Sequence, residues 1–214
     1  MKVGVLMGGP SSERAVSLLS GKAIYRALRS QGYNCVAIDI GQDSYQQIKA
    51  SRIDVAFIAL HGRFGEDGTI QAMLEEMGIP YTGSGPQASR LGMDKVASRK
   101  VFQQKNIPVP KYMVLKKNPK QLSASSSQLS ALRSPLVVKP SSHGSSIGLS
   151  IVEDELSLSE AMEEAHRYDD VIIIEEYIRG KELTVGILDE EPLPIIWLIP
   201  KRKFLIIGQS MRKG

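Results

Sequence analysis

Cysteine and aromatic residues are scarce in this sequence. Of its 214 residues one is a cysteine, Cys35, and 6% are aromatic, whereas 42% are hydrophobic and 23% are charged. A single cysteine cannot form an internal disulfide, which excludes a disulfide-stabilised scaffold and fits a reducing compartment. The hydrophobic and charged fractions are those of ordinary globular proteins, so they exclude a disordered or collagen-like chain.

Long apolar runs are also missing. No run approaches the roughly 20 residues that a membrane helix needs. Met1 leads directly into an alternating, strand-like segment and not into the basic and then apolar region of a signal peptide. We therefore expect a cytoplasmic protein with no membrane association.

Acidic residues are absent from the last fifteen positions. Residues 200–214 hold five basic side chains, and because the formal net charge is +4, the first 199 residues together carry −1. The positive charge thus belongs to the tail and not to a basic stripe interleaved with aromatic residues. We expect no binding of nucleic acid.

Strand-like and helix-like periodicities alternate over the first 90 residues. They predict strands at 2–7, 35–40 and 55–60, helices at 13–29 and 69–77, and a short helix after Asp43. The buried side of the first helix is predicted to carry Val16, Leu19, Ile24, Ala27 and Leu28. This alternation predicts a parallel, Rossmann-like open sheet, in which ligands gather beyond the carboxyl ends of the strands.

Strands dominate the remainder, after a helix predicted at 94–105. We expect strands at 112–115, 136–139, 149–152, 171–177, 183–188 and 193–199, a helix at 156–166 and one modest helix within 116–134. We place the domain boundary after residue 92. Residues 1–92 form the Rossmann-like domain, and residues 93–214 form an α+β domain that is short for a complete core.

A small polar loop, KPSSHGSSIG at 139–148, joins two strand-like runs. Small residues let backbone N–H groups approach an anion, serine hydroxyls add donors, and Lys139 supplies a positive charge. The composition favours a phosphate-binding loop. It is not a Walker A loop, because no Gly-Lys-Ser/Thr ends it, and a plain hairpin loop with an incidental lysine is the alternative.

Two further segments follow apolar strands. EEYIRGKE at 175–182 alternates apolar and acidic residues, which suits an adenine and ribose site, with solvated surface as the alternative. HGRFGEDG at 61–68 sets glycines and titratable side chains at a strand end, which indicates a site more than a structural histidine. No His or Cys spacing suggests zinc, and no base neighbours Cys35 to make it a nucleophile.

Six segments, taken in order, resemble the D-alanine–D-alanine ligases of the ATP-grasp superfamily. They are GGPSSERAVS at 8–17, HGRFGEDG at 61–68, YTGSG at 81–85, MDK at 93–95, KPSSHGSSIG at 139–148, and residues 175–184. The resemblance implies an α/β fold in which an N-terminal Rossmann-like parallel sheet domain precedes an incomplete α+β ATP-grasp domain. Residues 93–214 would then hold the central lobe and a truncated start of the C-terminal lobe.

The resemblance also implies a binding site for ATP. The implied residues are Lys95, Lys139, Gly144, Ser145, Ser146, Glu175, Glu176, Tyr177, Ile178 and Glu182. The two lysines would contact the phosphates, and the loop at 144–146 would close over them. The strand link at 175–178 would hold adenine, and Glu182 would bind the ribose.

For D-alanine the resemblance implies Glu13, His61 and Ser145, with Glu13 and Ser145 as the catalytic residues. Glu13 would anchor the ammonium of the first D-alanine, and His61 would lie near its carboxylate. The Ser145 hydroxyl would link Glu13 to the substrate loop. The family also implies a homodimer formed through the first domain.

The implied reaction makes D-alanyl-D-alanine for peptidoglycan, and so serves cell wall biogenesis and cell shape. One D-alanine carboxylate takes the γ-phosphoryl group of ATP, the amine of a second attacks the acyl phosphate, and phosphate leaves. Cationic side chains and Mg²⁺ would offset the charge that gathers on the phosphoryl oxygens.

The resemblance stops near residue 200, before the family's magnesium ligands. Residues 208–214 can be written in codons that, read one base displaced, encode Ala-Lys-Tyr-Glu-Lys-Gly, which is close to the family pattern. We therefore expect a truncated or frameshifted ligase that is poorly stable and inactive alone, with a divergent terminus as the alternative.

Two alternative functions stay open, namely a non-catalytic remnant that binds ATP and D-alanine, and a D-alanine–D-lactate ligase. A nicotinamide dehydrogenase is disfavoured, because the first strand is not followed by G-x-G-x-x-G.

Overall fold

The computed structural model describes residues 1–117 and 129–199. The described chain forms two compact units, the first comprising residues 1–105 and the second beginning at Asn106. The domain boundary predicted after residue 92 was placed from the sequence pattern, and it stays a prediction. Most of the helix predicted within 116–134, and the tail at 200–214, lie outside the described residues.

The first unit is built on a parallel sheet. Its strands and helices, in chain order, are β1 (Lys2–Gly8), α1 (Arg14–Ser30), β2 (Asn34–Ile40), α2 (Ser44–Ser51), β3 (Val55–Ile58), α3 (Thr69–Glu76), α4 (Pro86–Met93) and α5 (Lys95–Gln104). The strand order is β2-β1-β3, and both pairings are parallel. A single parallel bridge from Ala56 to Tyr81 extends the sheet beyond β3. The predicted Rossmann-like sheet is thus confirmed.

The central strand β1 is buried on both faces. Leu6 packs on one face with Ile38, Ile48 and Ile70. Val5 and Met7 pack on the other face, where α1 covers them. A parallel strand that is covered on both faces needs apolar residues at every position. For this reason Lys2–Gly8 has no polar residue after its first position.

The buried face of α1 differs from the predicted one. Leu19 is 69% exposed and Ala27 is exposed, so these two predictions are wrong. Ser17 and Gly21 are the buried residues of this helix, and a Cβ at Gly21 would lie 2.5 Å from Met7 Cβ. The helix approaches the sheet through its small residues. A prediction that looks for large apolar side chains overlooks such a face.

The second unit is a mixed arrangement of antiparallel strands and one helix. Its elements are β4 (Tyr112–Lys116), β5 (Leu136–Pro140), β6 (Ser150–Val152), α6 (Glu155–Ala165), β7 (Val171–Glu176), β8 (Glu182–Thr184), β9 (Ile187–Leu188), β10 (Glu191–Pro192) and β11 (Ile196–Leu198). Four strands form a sheet of order β4-β7-β5-β6, in which every pairing is antiparallel. Its core joins β4–β7 to the buried side of α6.

Two short ribbons, β8–β11 and β9–β10, follow this sheet. The strand predicted at 183–188 is divided into β8 and β9, and the strand predicted at 193–199 is shortened to β11. Asp189 and Glu190 take positive φ angles and form the two-residue hairpin turn between β9 and β10. The apolar side chains of this region are 51–69% exposed at Ile178, Leu183, Ile187, Leu188, Ile195, Ile196 and Trp197. The ribbons therefore have no core of their own.

Candidate functional site

The first candidate site lies at the carboxyl ends of β1 and β3. Gly8 and Gly9 take φ angles of +84° and +80°, and this turn leads the chain from β1 into α1. The fully buried Ser17 hydroxyl accepts a hydrogen bond from the Gly8 N–H at 2.9 Å and donates to the Ala59 carbonyl at 2.7 Å. Ser17 therefore ties the two strand ends together beneath the site.

Glu13 lies against the loop that follows β3. The Ser11 hydroxyl accepts a hydrogen bond from the Glu13 N–H at 3.0 Å, directly before α1 begins. Gly62 has a φ of +70°, and a Cβ at this position would overlap Ser11 Oγ and lie 2.6 Å from Glu13 Oε2. The structure thus brings Glu13 and the loop at 61–68 together, and a side chain at position 62 would force the Ser11 hydroxyl and the Glu13 carboxylate to shift.

His61 is held from both ring nitrogens. Its Nε2 lies 2.9 Å from the Ser20 hydroxyl of α1, and its Nδ1 lies 3.3 Å from Glu66 Oε1. The other Glu66 oxygen accepts a hydrogen bond from the Gly62 N–H at 3.0 Å. These contacts fix the plane of the imidazole next to Gly62, and so next to Glu13.

Ser20, His61 and Glu66 are the residue types of a hydrolytic catalytic triad, but their hydrogen bonds are not those of a triad. The Ser20 hydroxyl donates to the Val16 carbonyl at 2.8 Å, one turn earlier on the same helix. A nucleophilic serine gives its proton to the histidine, and here that proton is already engaged by the helix. The arrangement orients His61.

Two side chains brace the same loop from within. Asp67 accepts hydrogen bonds from the N–H groups of Phe64 at 2.9 Å and Thr69 at 3.0 Å. Burial alone would raise the pKa of Asp67, but these hydrogen bonds and the Arg63 charge outweigh it and hold the pKa below the ordinary 3.8. The buried Gln71 amide donates to the Gly65 carbonyl at 2.8 Å. Sequence reasoning assigned no role to Ser17, Ser20 or Gln71, because each is a common polar residue within a helix.

The second candidate site lies on the antiparallel sheet of the second unit. Val137 of β5 is directly opposite Glu175 of β7, so Lys139, two residues further along β5, shares a face with that carboxylate. The Lys139 ammonium donates to Glu175 Oε1, and the two side chains are 18% and 7% exposed. A charged pair is therefore held in a largely desolvated position.

This pair lines a cavity of about 300 Å³. The cavity contains seven of the ten residues predicted for ATP, namely Lys139, Ser146, Glu175, Glu176, Tyr177, Ile178 and Glu182. Val137, Leu149 and Ile151 add apolar walls. Apolar walls with a few converging polar groups are the usual lining of a small-molecule site.

The remaining predicted ATP residues do not line this cavity. Gly144 and Ser145 belong to the loop between β5 and β6, which reaches the cavity through Ser146. Ser145 and Ser146 take φ angles of +52° and +57°, a left-handed conformation that is costly for residues with a Cβ. Lys95 is the first residue of α5 in the first unit, so its phosphate contact stays a prediction. The link from Ser145 to Glu13 also stays a prediction, because the two residues belong to different units.

The described residues offer no set of metal ligands. Within 1–117 and 129–199, no three His, Cys, Asp or Glu side chains are placed to hold one ion. We therefore assign no Mg²⁺ ligand to this part of the chain. In the same part of the chain, no helix is both long and apolar enough to cross a bilayer.

Comparison with solved structures shows that the architecture is that of the ATP-grasp ligases. The structure matches the D-alanine–D-alanine ligase of Bacillus anthracis complexed with ATP at a TM-score of 0.79 and 38% identity, over 95% of this chain and 68% of the other. It also matches the D-alanyl-alanine synthetase A of Vibrio cholerae at a TM-score of 0.81 and 24% identity, over the same shares, which supports the fold alone.

Sequence comparison narrows the class to one family. The model of the D-ala D-ala ligase N-terminus matches residues 2–49 and 42–84, and the model of the C-terminus matches residues 101–204. This chain belongs to the D-alanine–D-alanine ligase family. Curated D-alanine–D-alanine ligases of Syntrophotalea carbinolica and Geotalea uraniireducens are 51% and 50% identical to it, each over 95% of the chain. The chain spans 65% and 64% of the length of those two relatives.

Proposed function

We propose that this chain carries the D-alanine-binding and ATP-binding parts of an ATP-dependent D-alanine–D-alanine ligase. The observation that carries the proposal is the cavity beside the Lys139–Glu175 pair, which collects residues predicted separately for phosphate, adenine and ribose. The names of the relatives and the ATP complex of one solved neighbour support the same reading.

In the second unit, the cavity walls would hold the nucleotide. Lys139 would place its ammonium against the phosphates, while Glu175 keeps that ammonium in position across the sheet. The strand link from Glu175 to Ile178 would receive adenine, and Glu182 would accept hydrogen bonds from the ribose hydroxyls. Backbone N–H groups and hydroxyls at Gly144–Ser146 would add donors to the phosphates.

In the first unit, Glu13 and His61 would hold the first D-alanine by its two charged groups. The Glu13 carboxylate attracts the ammonium, and His61, oriented by Ser20 and Glu66, faces the carboxylate. That carboxylate attacks the γ-phosphorus of ATP and releases ADP. The amine of a second D-alanine then attacks the acyl carbon, loses a proton, and phosphate leaves.

Several wider expectations belong to the same proposal. The product would enter peptidoglycan synthesis in the cytoplasm, and the first unit would form a homodimer. Binding of both ligands by the 214-residue chain without turnover also belongs to this proposal.

The test is titration calorimetry of the 214-residue chain with ATP and with D-alanine, together with an assay of D-alanine-dependent phosphate release. Saturable binding of both ligands supports the proposal, and absence of ATP binding overturns it. Lys139→Met should abolish ATP binding in a sample whose circular dichroism spectrum shows that the variant is still folded. Lys117→Met is the matched control, since Lys117 lies in the same unit and its ammonium contacts the His166 carbonyl at 3.3 Å.

Turnover separates the alternatives for catalysis. Binding without phosphate release favours the non-catalytic binding module, and D-alanine-dependent release would show that the chain is active alone. If release is seen, the same assay with D-lactate as the second substrate distinguishes a D-alanine–D-lactate ligase.

A further inference from the structure

The loop at 141–149 and the turn at 166–170 lie side by side in the second unit. The loop leaves β5 at Pro140, and the turn enters β7 at Val171, and these neighbouring strands run antiparallel. The Ser141 N–H donates to the Val171 carbonyl at 2.9 Å, which extends the pairing into the loop. The turn is thus placed to hold the loop that Lys139 introduces.

Asp169 binds the start of the loop. Its Oδ2 accepts hydrogen bonds from the Ser142 N–H at 2.8 Å and from the Ser142 hydroxyl at 2.6 Å. Its Oδ1 accepts from the Val171 N–H at 3.0 Å, so the carboxylate joins the loop to β7. Burial alone would raise the pKa of Asp169, but these hydrogen bonds and the charge of His143 hold it below 3.8. The carboxylate therefore makes charge-assisted bonds at neutral pH.

Tyr168 packs against the middle and the end of the same loop. Its ring meets the His143 ring edge-on, with centroids 6.1 Å apart at an angle of 62°. At Gly148, whose φ is +67°, a Cβ would lie 2.6 Å from Tyr168 Cδ2 and 2.9 Å from Pro140 Cγ. Around Gly144, by contrast, an added Cβ would meet nothing within 4 Å. The contacts fix both ends of the loop and leave space at its tip.

We propose that Tyr168 and Asp169 are positioning residues that hold the loop at 141–149 in the conformation that receives the phosphates of ATP. The identity of the ligand, ATP, rests on the proposed function. The contacts that Tyr168 and Asp169 make with the loop do not depend on it. A loop of serines and glycines has many conformations, and ordering it on binding would oppose affinity. Holding the loop beforehand removes that cost for the phosphates and leaves the adenine and ribose contacts unaffected.

The experiment compares ATP with AMP, because AMP shares the nucleoside but lacks the β- and γ-phosphates. Asp169→Ala and Tyr168→Ala should each weaken ATP binding about tenfold and change AMP binding less than about twofold. Asp170→Ala is the matched control for charge, since Asp170 is the exposed neighbour of Asp169. Tyr168→Phe is the control for the ring and should bind ATP as the unaltered chain does.

Two further measurements keep the inference testable if a variant folds poorly. Ser142→Ala removes one of the three hydrogen bonds to Asp169 and should weaken ATP several-fold with AMP unchanged. Hydrogen–deuterium exchange over 141–149, measured without nucleotide, should rise in Asp169→Ala relative to Asp170→Ala.

The outcomes separate this inference from the proposed function. If the unaltered chain binds no ATP but Asp169→Ala raises exchange in the loop, the ligand assignment fails and the holding role stands. If the chain binds ATP and the Asp169 and Tyr168 variants bind it equally well, or lose ATP and AMP alike, the positioning role is overturned.

Discussion

Lys139 and Glu175 form an ion pair across the β5–β7 ladder although they are diagonal, not opposite, in register. Val137 is the residue opposite Glu175, and the long lysine side chain reaches back along the shared face to the carboxylate. Both partners are largely buried, at 18% and 7% exposure. The cavity of the second unit is therefore lined by a charge pair that also holds two strands of the sheet together.

Removal of one partner of this pair should destabilise the second unit. Lys139→Met leaves the Glu175 carboxylate in a desolvated position without its cation, at a cost of about 3 kcal/mol or more. The double variant Lys139→Met, Glu175→Leu should recover most of that loss, because neither charge then remains. Urea unfolding of both variants measures the difference, and equal stability of the single variant and the unaltered chain would contradict the prediction.

Gly62→Ala should displace Glu13 and abolish D-alanine binding. The new methyl group would meet Glu13 Oε2 at 2.6 Å, so the carboxylate must move away from the site. Gly78→Ala is a matched control, since Gly78 has a φ of +68° against +70° for Gly62 and open space around an added Cβ. Both variants should lose about 1 kcal/mol to backbone strain. Calorimetric titration with D-alanine should show a loss for Gly62→Ala alone.

Ser20→Ala should weaken D-alanine binding several-fold while α1 stays folded. The substitution removes the oxygen that lies 2.9 Å from His61 Nε2, so the imidazole is no longer oriented from the helix side. Ser51→Ala is the control, because the Ser51 hydroxyl makes the same contact one turn back along its helix, to the Gln47 carbonyl at 2.7 Å. Equal D-alanine affinity in the two variants would show that Ser20 does not contribute to D-alanine binding.

The carboxylate of Asp67 should make stability sensitive to acid. Its pKa in the folded chain lies below the ordinary 3.8, so near that pH the unfolded chain binds more protons than the folded chain. The stabilisation is complete above about pH 5 and is lost as the pH falls through the folded pKa. Asp67→Asn should therefore lose less stability than the unaltered chain between about pH 5 and about pH 3. Thermal unfolding across that range checks this, and parallel curves would count against it.

The sheet of the first unit was predictable from the sequence because each element has a strong local pattern. The apolar run of β1 indicates a strand buried on both faces, and the glycines after it mark the turn into α1. Helix α4 was missed, since PQASRLGM has few apolar residues and is recognisable chiefly by the proline at its first turn. Local patterns thus predict the strands better than they predict a helix that has few apolar residues.

The candidate sites were predictable in composition but not in their supporting contacts. The segments at 139–148 and 175–182 stand out by composition, and the cavity brings members of both together. Ser20 and Asp169 do not stand out, because their roles depend on partners 41 and 27 residues away in sequence. Contacts at such separations follow from the packing of whole elements, which a single sequence does not reveal.

The exposed ribbons β8–β11 and β9–β10 have a consequence inside a cell. They present isoleucine, leucine and tryptophan side chains that are more than half exposed, together with strand edges that can pair with other chains. Chaperones and proteases recognise such surfaces as signs of incomplete folding. Wherever these ribbons stay uncovered, their apolar side chains and strand edges should favour association with other unfolded or partly folded chains.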